Sequence, residues 1–131
     1  MDDLTLYILM RTDLKSMNPG KAMAQACHAY GALKAAIRDK LFRQNAYVEW
    51  MDQTPQEFGT TIVLGGTKTE IDFALRLCKL DRNLIHGWVH DPAYPLMDGE
   101  VLHLIPLDTC AFIFGEKQIC RTMTASMGLH A

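Results

Sequence analysis

Three side chains able to do polar chemistry, Lys21, Gln25 and His28, are spaced four and three residues apart, so on a helix they fall along one stripe. Their neighbours announce the helix. Asn18 is a favoured N-cap, Pro19 suits the first helical position because its missing N–H would have no partner there, and an alanine-rich run follows. A second stripe, Ala22, Ala26 and Ala29, is small enough for close packing, which leaves the polar stripe for a ligand. Lys21 falls in the first turn, where free backbone N–H groups and the positive end of the helix dipole already attract an anion. A cation there adds to that field instead of relieving it. The chemistry that suits such a place is the holding of an anionic group, or of an oxyanion that develops during a reaction.

The run Pro19-Gly20-Lys21 after an apolar strand looks like the end of a phosphate-binding loop. That loop needs glycine where Lys15 stands and Ser or Thr where Ala22 stands, which excludes a nucleoside triphosphatase of that kind. Gly65-Gly66 reads as a plain strand-to-helix turn. His86, His90 and Asp91 invite a metal site. In an extended segment, however, the two histidine Cα atoms lie roughly 13 Å apart at about 3.3 Å per residue, too far to share one ion. With Trp88 between them, they read as a covered, partly polar sheet face. No metal and no cofactor is expected. Asp91 differs because it ends its strand, and open α/β sheets bind ligands at that end, where the first helix also begins. If those two strands are parallel neighbours, Lys21 and Asp91 meet. Neither Ser16 nor Cys27 has a recognisable base and orienting partner, so covalent catalysis has no support.

The elements that must position these groups follow from periodicity. The reading is strand 4–12, helix 19 to about 37, a second helical stretch to about 51, strand 60–65, helix 68–80, strand 84–90 and strand 109–114, in the order βααβαββ. The first strand is apolar on both alternations (Leu4, Leu6, Ile8 and Tyr7, Leu9), which predicts a central strand covered on both faces. Thr67 and Glu70 have capping-box spacing, and Ile71, Leu75 and Cys78 then form a buried face. The remaining Met, Phe and Leu are expected in the core. At 131 residues and 49% hydrophobic content the chain can bury one core. The expected fold is therefore a single three-layer α/β/α domain over residues 1–131 with a mixed four-stranded sheet. The cysteines at 27, 78, 110 and 120 form no Cys-x-x-Cys pair, the N-terminus is acidic without a signal-peptide pattern, and no apolar run could span a bilayer. A cytoplasmic protein is the expectation. Net charge is −2, yet residues 11–43 carry seven Lys or Arg against two acids, making Lys34, Arg38 and Lys40 candidates for phosphate contact.

At this point the residues resemble a known family, the second-type, archaeal and eukaryotic-like peptidyl-tRNA hydrolases. That family has an apolar strand ending in Arg-x-Asp-Leu, a Gly-Lys pair, and a helix reading Lys-x-x-Ala-Gln-x-x-His-Ala. The matching positions here are Arg11, Asp13, Leu14, Gly20, Lys21, Ala24, Gln25, His28 and Ala29. Weaker likenesses continue through Trp50, Thr61–Leu64, Asp91 and Thr109–Gly115, nearly the whole chain. The resemblance implies hydrolysis of the ester between a peptidyl or aminoacyl group and the terminal ribose of tRNA, with tRNA as partner and a homodimer left open. It implies Lys21 and Asp91 as catalytic residues, with water attacking, Asp91 orienting or deprotonating it, Lys21 and the helix N-terminal amides holding the oxyanion, and Gln25 positioning. Gly20, Arg11, His28, Lys34 and Arg38 are the residues expected to bind substrate. His28 also reads as a buried, hydrogen-bonded residue that holds the helix to a neighbour. The family's strand-end aspartate begins Asp-Ala-Gly-x-Thr, whereas here Asp91-Pro92-Ala93-Tyr94-Pro95 puts proline in the threonine's place. Tyr94 then either supplies a hydroxyl from the adjacent position or is a packing or turn tyrosine. The segment 92–108 reads as a long loop with an extra apolar run at Val101–Ile105. Two other classes stand beside the hydrolase. One is a tRNA-end binding module without turnover. The other is a protein-interaction module that uses Tyr94, Leu96, Met97 and Leu102.

Overall fold

The structure, a computed structural model, describes residues 3–38 and 41–131. Its elements are β1 (Leu4–Arg11), α1 (Pro19–Ile37), α2 (Leu41–Asp52), β2 (Thr61–Gly66), α3 (Lys68–Cys78), β3 (Ile85–Asp98), β4 (Val101–Glu116), α4 (Lys117–Met123) and β5 (Gly128–Leu129). The sheet is mixed and five-stranded, in the order β3-β4-β1-β2-β5. β1 runs parallel to β2 and antiparallel to β4, and β3 and β5 pair antiparallel with β4 and β2.

β1 is the middle strand and is buried along Leu4–Met10, as its two apolar alternations predict. On one face Leu6, Ile8 and Met10 pack with Phe112 and Phe114 of β4 under Ala22, Ala29 and Leu33 of α1 and Trp50 of α2. On the other, Tyr7, Leu9 and Ile113 meet Ile71, Ala74 and Cys78 of α3 and Cys120 of α4. Both cysteine thiols there are pushed up to about 12 by burial, so they behave as small apolar groups. The reciprocal capping box at Thr67 and Glu70 is present. Trp50 is wholly buried, donates its indole N–H to the Thr60 carbonyl at 2.8 Å and stacks edge-on against Phe114. Gly59, at φ +78°, lies so close beneath that indole that an added Cβ would sit 2.2 Å from it.

Four expectations are corrected. Among the described residues there are five strands and four helices, and the two additional elements were not expected because α4 has seven residues and β5 two, too short to show a period. The strands expected at 84–90 and 109–114 extend to Ile85–Asp98 and Val101–Glu116, so the expected loop 92–108 is a β-hairpin arm. Pro92 and Pro95 are compatible with it because β3 is an edge strand, where an N–H can face away from the ladder. The arm turns at Gly99-Glu100, with Gly99 at φ +63° opening a two-residue turn between the paired Asp98 and Val101. Not all large apolar residues are core: Met23, Phe58, Phe73 and Leu80 are exposed, as is much of the arm. Finally, β1 and β3 run in the same direction but are not neighbours, since β4 lies between them.

Candidate active site

The helix begins where its cap residue dictates. The Asn18 side chain accepts the Lys21 backbone N–H at 2.9 Å, and the Asn18 carbonyl accepts that of Ala22. Pro19 has no N–H, so Gly20 brings the first-turn amide that these cap bonds leave unclaimed. The Lys21 side chain crosses to the arm, where Nζ donates to the Pro95 carbonyl at 2.7 Å and stands 5.1 Å from the Tyr94 ring centre. Tyr94 is completely buried, and its hydroxyl pairs with Ser16 Oγ at 3.1 Å. Lys21 therefore meets the strand four residues past Asp91, and in place of the direct meeting of the two expected from parallel neighbours, Asp91 is tied to α1 by a separate hydrogen-bonded relay.

That relay runs through Gln25. The residue is 2% exposed and lies on the packed stripe of α1 with Ala22 and Ala29, not on an available polar stripe. Its Nε2 donates to Asp91 Oδ2 at 2.7 Å, while its Oε1 accepts from Thr109 Oγ1 at 2.6 Å. A carboxylate only accepts, which turns the amide nitrogen toward Asp91 and leaves the carbonyl for the threonine hydroxyl. Two irregularities of the β3–β4 ladder make this possible. Val89 pairs with Cys110 and His90 with Asp108, so Thr109 is an extra residue bulged from β4. The bulge turns consecutive residues to the same side: Thr109 Oγ1 reaches Gln25 Oε1, and the Cys110 thiol lies 3.6 Å from the Gln25 carbonyl. A second shift, between Asp91 and Tyr94, opens a turn in which the Ala93 N–H donates to Asp91 Oδ1 at 2.9 Å.

The Asp91 carboxyl is held below the usual carboxylate range. Burial pushes it up, but the Ala93 N–H, the Gln25 amide and the nearby His28 and His90 imidazoles together outweigh that. It is thus a carboxylate at neutral pH, with both oxygens held by donors. His28 is exposed, not buried as expected, because position 28 has rotated past the packed stripe Ala22–Gln25–Ala29. With His90, Asp91 and Pro92 it lines a cavity of about 350 Å³. His90 is tethered to Asp108 through Nδ1 at 2.8 Å. Among the described residues, no group of three or more His, Cys, Asp or Glu is placed to hold a metal ion.

Arg11 faces protein partners: it grips both oxygens of Asp13 at 2.9 and 3.2 Å and donates to the Asp108 carbonyl at 2.9 Å, beside the Thr109 bulge. Gly20 is exposed at the helix start, and Lys34 and Arg38 are exposed along the far end of α1. Lys40 lies outside the described residues. Thr109 was missed in the sequence, where only its place before the unbroken apolar run Cys110–Phe114 marks it as a strand-end hydroxyl. The Pro95 carbonyl carried no signal, and Ser16, weighed only as a nucleophile, gave no sign of its pairing with Tyr94.

The sequence profile of peptidyl-tRNA hydrolase PTH2 matches residues 4–92, well over half of the chain. The chain belongs to this family. No curated protein matches it in sequence. The solved structure of a protein of unknown function from Agrobacterium tumefaciens strain C58 is similar over 100% of both chains, with a TM-score of 0.50 and 12% identity. At that identity the likeness is one of fold. The PTH2 match takes in β1, α1 and Asp91 and stops one residue later, where the arm begins, short of the near-whole-chain resemblance read from the motifs. Lys21, Gln25 and Asp91 all lie within the matched segment, whereas Thr109, which completes their hydrogen-bonded chain, lies beyond it.

Proposed function

We propose that this chain hydrolyses the ester joining a peptidyl or aminoacyl group to the 3′-terminal ribose of tRNA, with water as the nucleophile. The observation that carries the reading is the hydrogen-bonded run Thr109–Gln25–Asp91, which fixes an ionised carboxylate against Gln25, one turn along α1 from Lys21, in a member of the PTH2 family. In this mechanism Asp91 orients a water against the ester carbonyl and takes its proton as the new C–O bond forms. The carbonyl oxygen becomes an oxyanion, met by the Lys21 ammonium and the Gly20 N–H. Lysine has three donors, so the bond to Pro95 leaves two for substrate. Collapse breaks the bond to the ribose oxygen, which recovers the proton, and the products are a carboxylic acid and a free tRNA terminus.

The other residues support these three. Gln25 and Thr109 hold the Asp91 carboxylate at a set angle, and Tyr94 serves as the floor on which Lys21 rests, its hydroxyl being engaged by Ser16. Arg11 ties the root of the arm to β1 through the Asp108 carbonyl. The cavity bordered by His28, His90 and Pro92 provides room for the terminal nucleoside next to Asp91. Lys34 and Arg38 stand about 20 and 25 Å from Lys21 along the helix axis, a distance suited to backbone phosphates a few nucleotides upstream of the ester.

The test is acyl release from an N-blocked aminoacyl-tRNA and from the free aminoacyl-tRNA by the purified chain. Turnover should fall about 10²–10³-fold in Lys21→Ala, as expected when an oxyanion donor is lost, and by a similar factor in Asp91→Asn. Both variants should keep the parent's circular dichroism. Measurable tRNA binding with no release from either ester would refute catalysis and leave a binding protein on a hydrolase fold.

A further inference from the structure

Building on the hydrolase reading, on which it rests, we propose that a second cavity beside the first turn of α1 receives the side chain of the residue carrying the ester and selects acyl groups in which that side chain is large and apolar. The cavity measures about 460 Å³ and is bordered by Leu14 and Met17 of the β1–α1 connection, by Pro19, Ala22 and Met23 of α1, and by His130. It is separate from the cavity beside Asp91.

Its place follows from the helix period and the strand order. Pro19 and Met23 stand two residues either side of Lys21, about half a turn round the axis. Lys21 reaches β3, so the opposite flank overlooks the other side of β1, where β2 ends and the chain leaves β5. His130 closes that end: its N–H donates to the Val63 carbonyl at 3.0 Å. Glycine at 65 lets the walls approach, since a Cβ there would lie 2.9 Å from Thr12 Cγ2 and 3.4 Å from His130 Nδ1. That Nδ1 is buried with no hydrogen-bond partner among the described residues, so it offers nothing polar to a guest.

Reach and chemistry name the guest. The Gly20 N–H, proposed to hold the oxyanion, lies at the end of the helix between the two flanks. From there to the cavity is about one helix radius, ~5–6 Å, which an extended methionine or phenylalanine side chain can cover and alanine cannot. Leu14, Met17, Ala22 and Met23 make the walls apolar, and Arg11, the charged side chain among them, is already held by both oxygens of Asp13. A carboxylate or ammonium entering here would lose water without gaining a partner. Met17 and Met23 are unbranched and adaptable, which suits a range of apolar shapes instead of one. Met23, 68% exposed, stands at the mouth with surface left for a guest to cover.

One tRNA acylated chemically with N-acetyl-glycine, -aspartate, -lysine, -methionine or -phenylalanine tests the selectivity. The kcat/KM of the full chain should rise about 10–100-fold from the glycyl to the methionyl and phenylalanyl esters, with the aspartyl and lysyl esters no better than glycyl. Met23→Glu, at an exposed helical position, should flatten the apolar preference, raise the lysyl ester and leave the glycyl ester near the parent rate. A second readout needs no tRNA: with the methionine methyls isotopically labelled, millimolar N-acetyl-phenylalaninamide should shift the Met17 and Met23 resonances, whereas N-acetyl-glycinamide should not. Equal kcat/KM across the esters would overturn the selectivity while leaving the hydrolase reading intact. Absence of hydrolysis from every ester, with the two methyls still responding, would refute the hydrolase and retain the apolar pocket. Methyls indifferent to the phenylalanine amide would overturn the pocket whatever the esters do.

Discussion

Replacing Thr109 with valine keeps the side chain's shape and removes one oxygen, so it isolates the hydroxyl that donates to Gln25 Oε1 at 2.6 Å. Thr109 is fully buried and Gln25 nearly so, and water cannot replace the lost donor without entering the core. Leaving a buried amide oxygen unpaired costs about 1–3 kcal/mol, and the denaturation midpoint should drop accordingly at constant m. The catalytic effect follows from geometry. Without its anchor the amide can rotate away from Asp91, and a misplacement of about 1 Å in a catalytic group costs roughly 10²-fold. We expect kcat on an N-blocked aminoacyl-tRNA to fall between about 10- and 100-fold with little change in KM, since the proposed phosphate contacts are distant. Because the Gln25 hydrogen bond is one of the groups that lower the Asp91 pKa, weakening it should shift the acidic limb of the kcat/KM profile to higher pH. Combining Thr109→Val with Gln25→Met removes both partners. That double variant should regain stability through a coupling of about 1 kcal/mol or more, but not activity. If Thr109→Val matches the parent within about 0.5 kcal/mol and leaves the acidic limb unmoved, the relay is not what holds Asp91.

Other consequences are as direct. Lys34→Ala and Arg38→Ala should each weaken tRNA binding and reduce the slope of log K against log salt by about 0.7–0.9, and a slope equal to the parent's would exclude a phosphate contact. Gly59→Ala places a Cβ 2.2 Å from the Trp50 indole at a backbone φ of +78°, so a loss of about 3 kcal/mol or more is expected, with a changed tryptophan fluorescence spectrum. Asp13 has a carboxyl held below its ordinary value, first by the hydrogen bond from Arg11, opposed by burial, and then by the Lys68 N–H at the start of α3. A lowered folded-state pKa contributes stability that is present above the unfolded value, about 3.9, and lost as pH falls through the folded one. Acid unfolding between about pH 5 and 2 should therefore cost the parent more than Asp13→Asn, and equal acid sensitivity in chemical denaturation would rule this linkage out.

What could be read in the sequence was whatever depends on near neighbours. Asn18 and Pro19 start α1 because a cap and a missing N–H act within one turn, and Thr67 and Glu70 cap α3 for the same reason. The doubly apolar β1 announced its central place because burial on both faces leaves its mark on every residue. Lys21, Gln25 and Asp91 could be singled out by type and by their place at the strand and helix ends. The connection between them could not. Gln25 was assigned to a polar stripe because glutamine is polar, whereas its burial depends on finding Asp91 and Thr109, 66 and 84 residues away. Thr109 reaches it only through a bulge, and a bulge is a mismatch between two strands, which neither strand's own sequence records. The arm was hidden for a related reason: Pro92 and Pro95 are tolerated in β3 because the fold places that strand at the sheet's edge, where an N–H can face away from the ladder, and an edge is not recorded in the strand's own residues. Local steric and capping rules thus determined β1, the starts of α1 and α3 and most of the reactive residues, while long-range pairing decided the arm, the bulge and which of those residues touch.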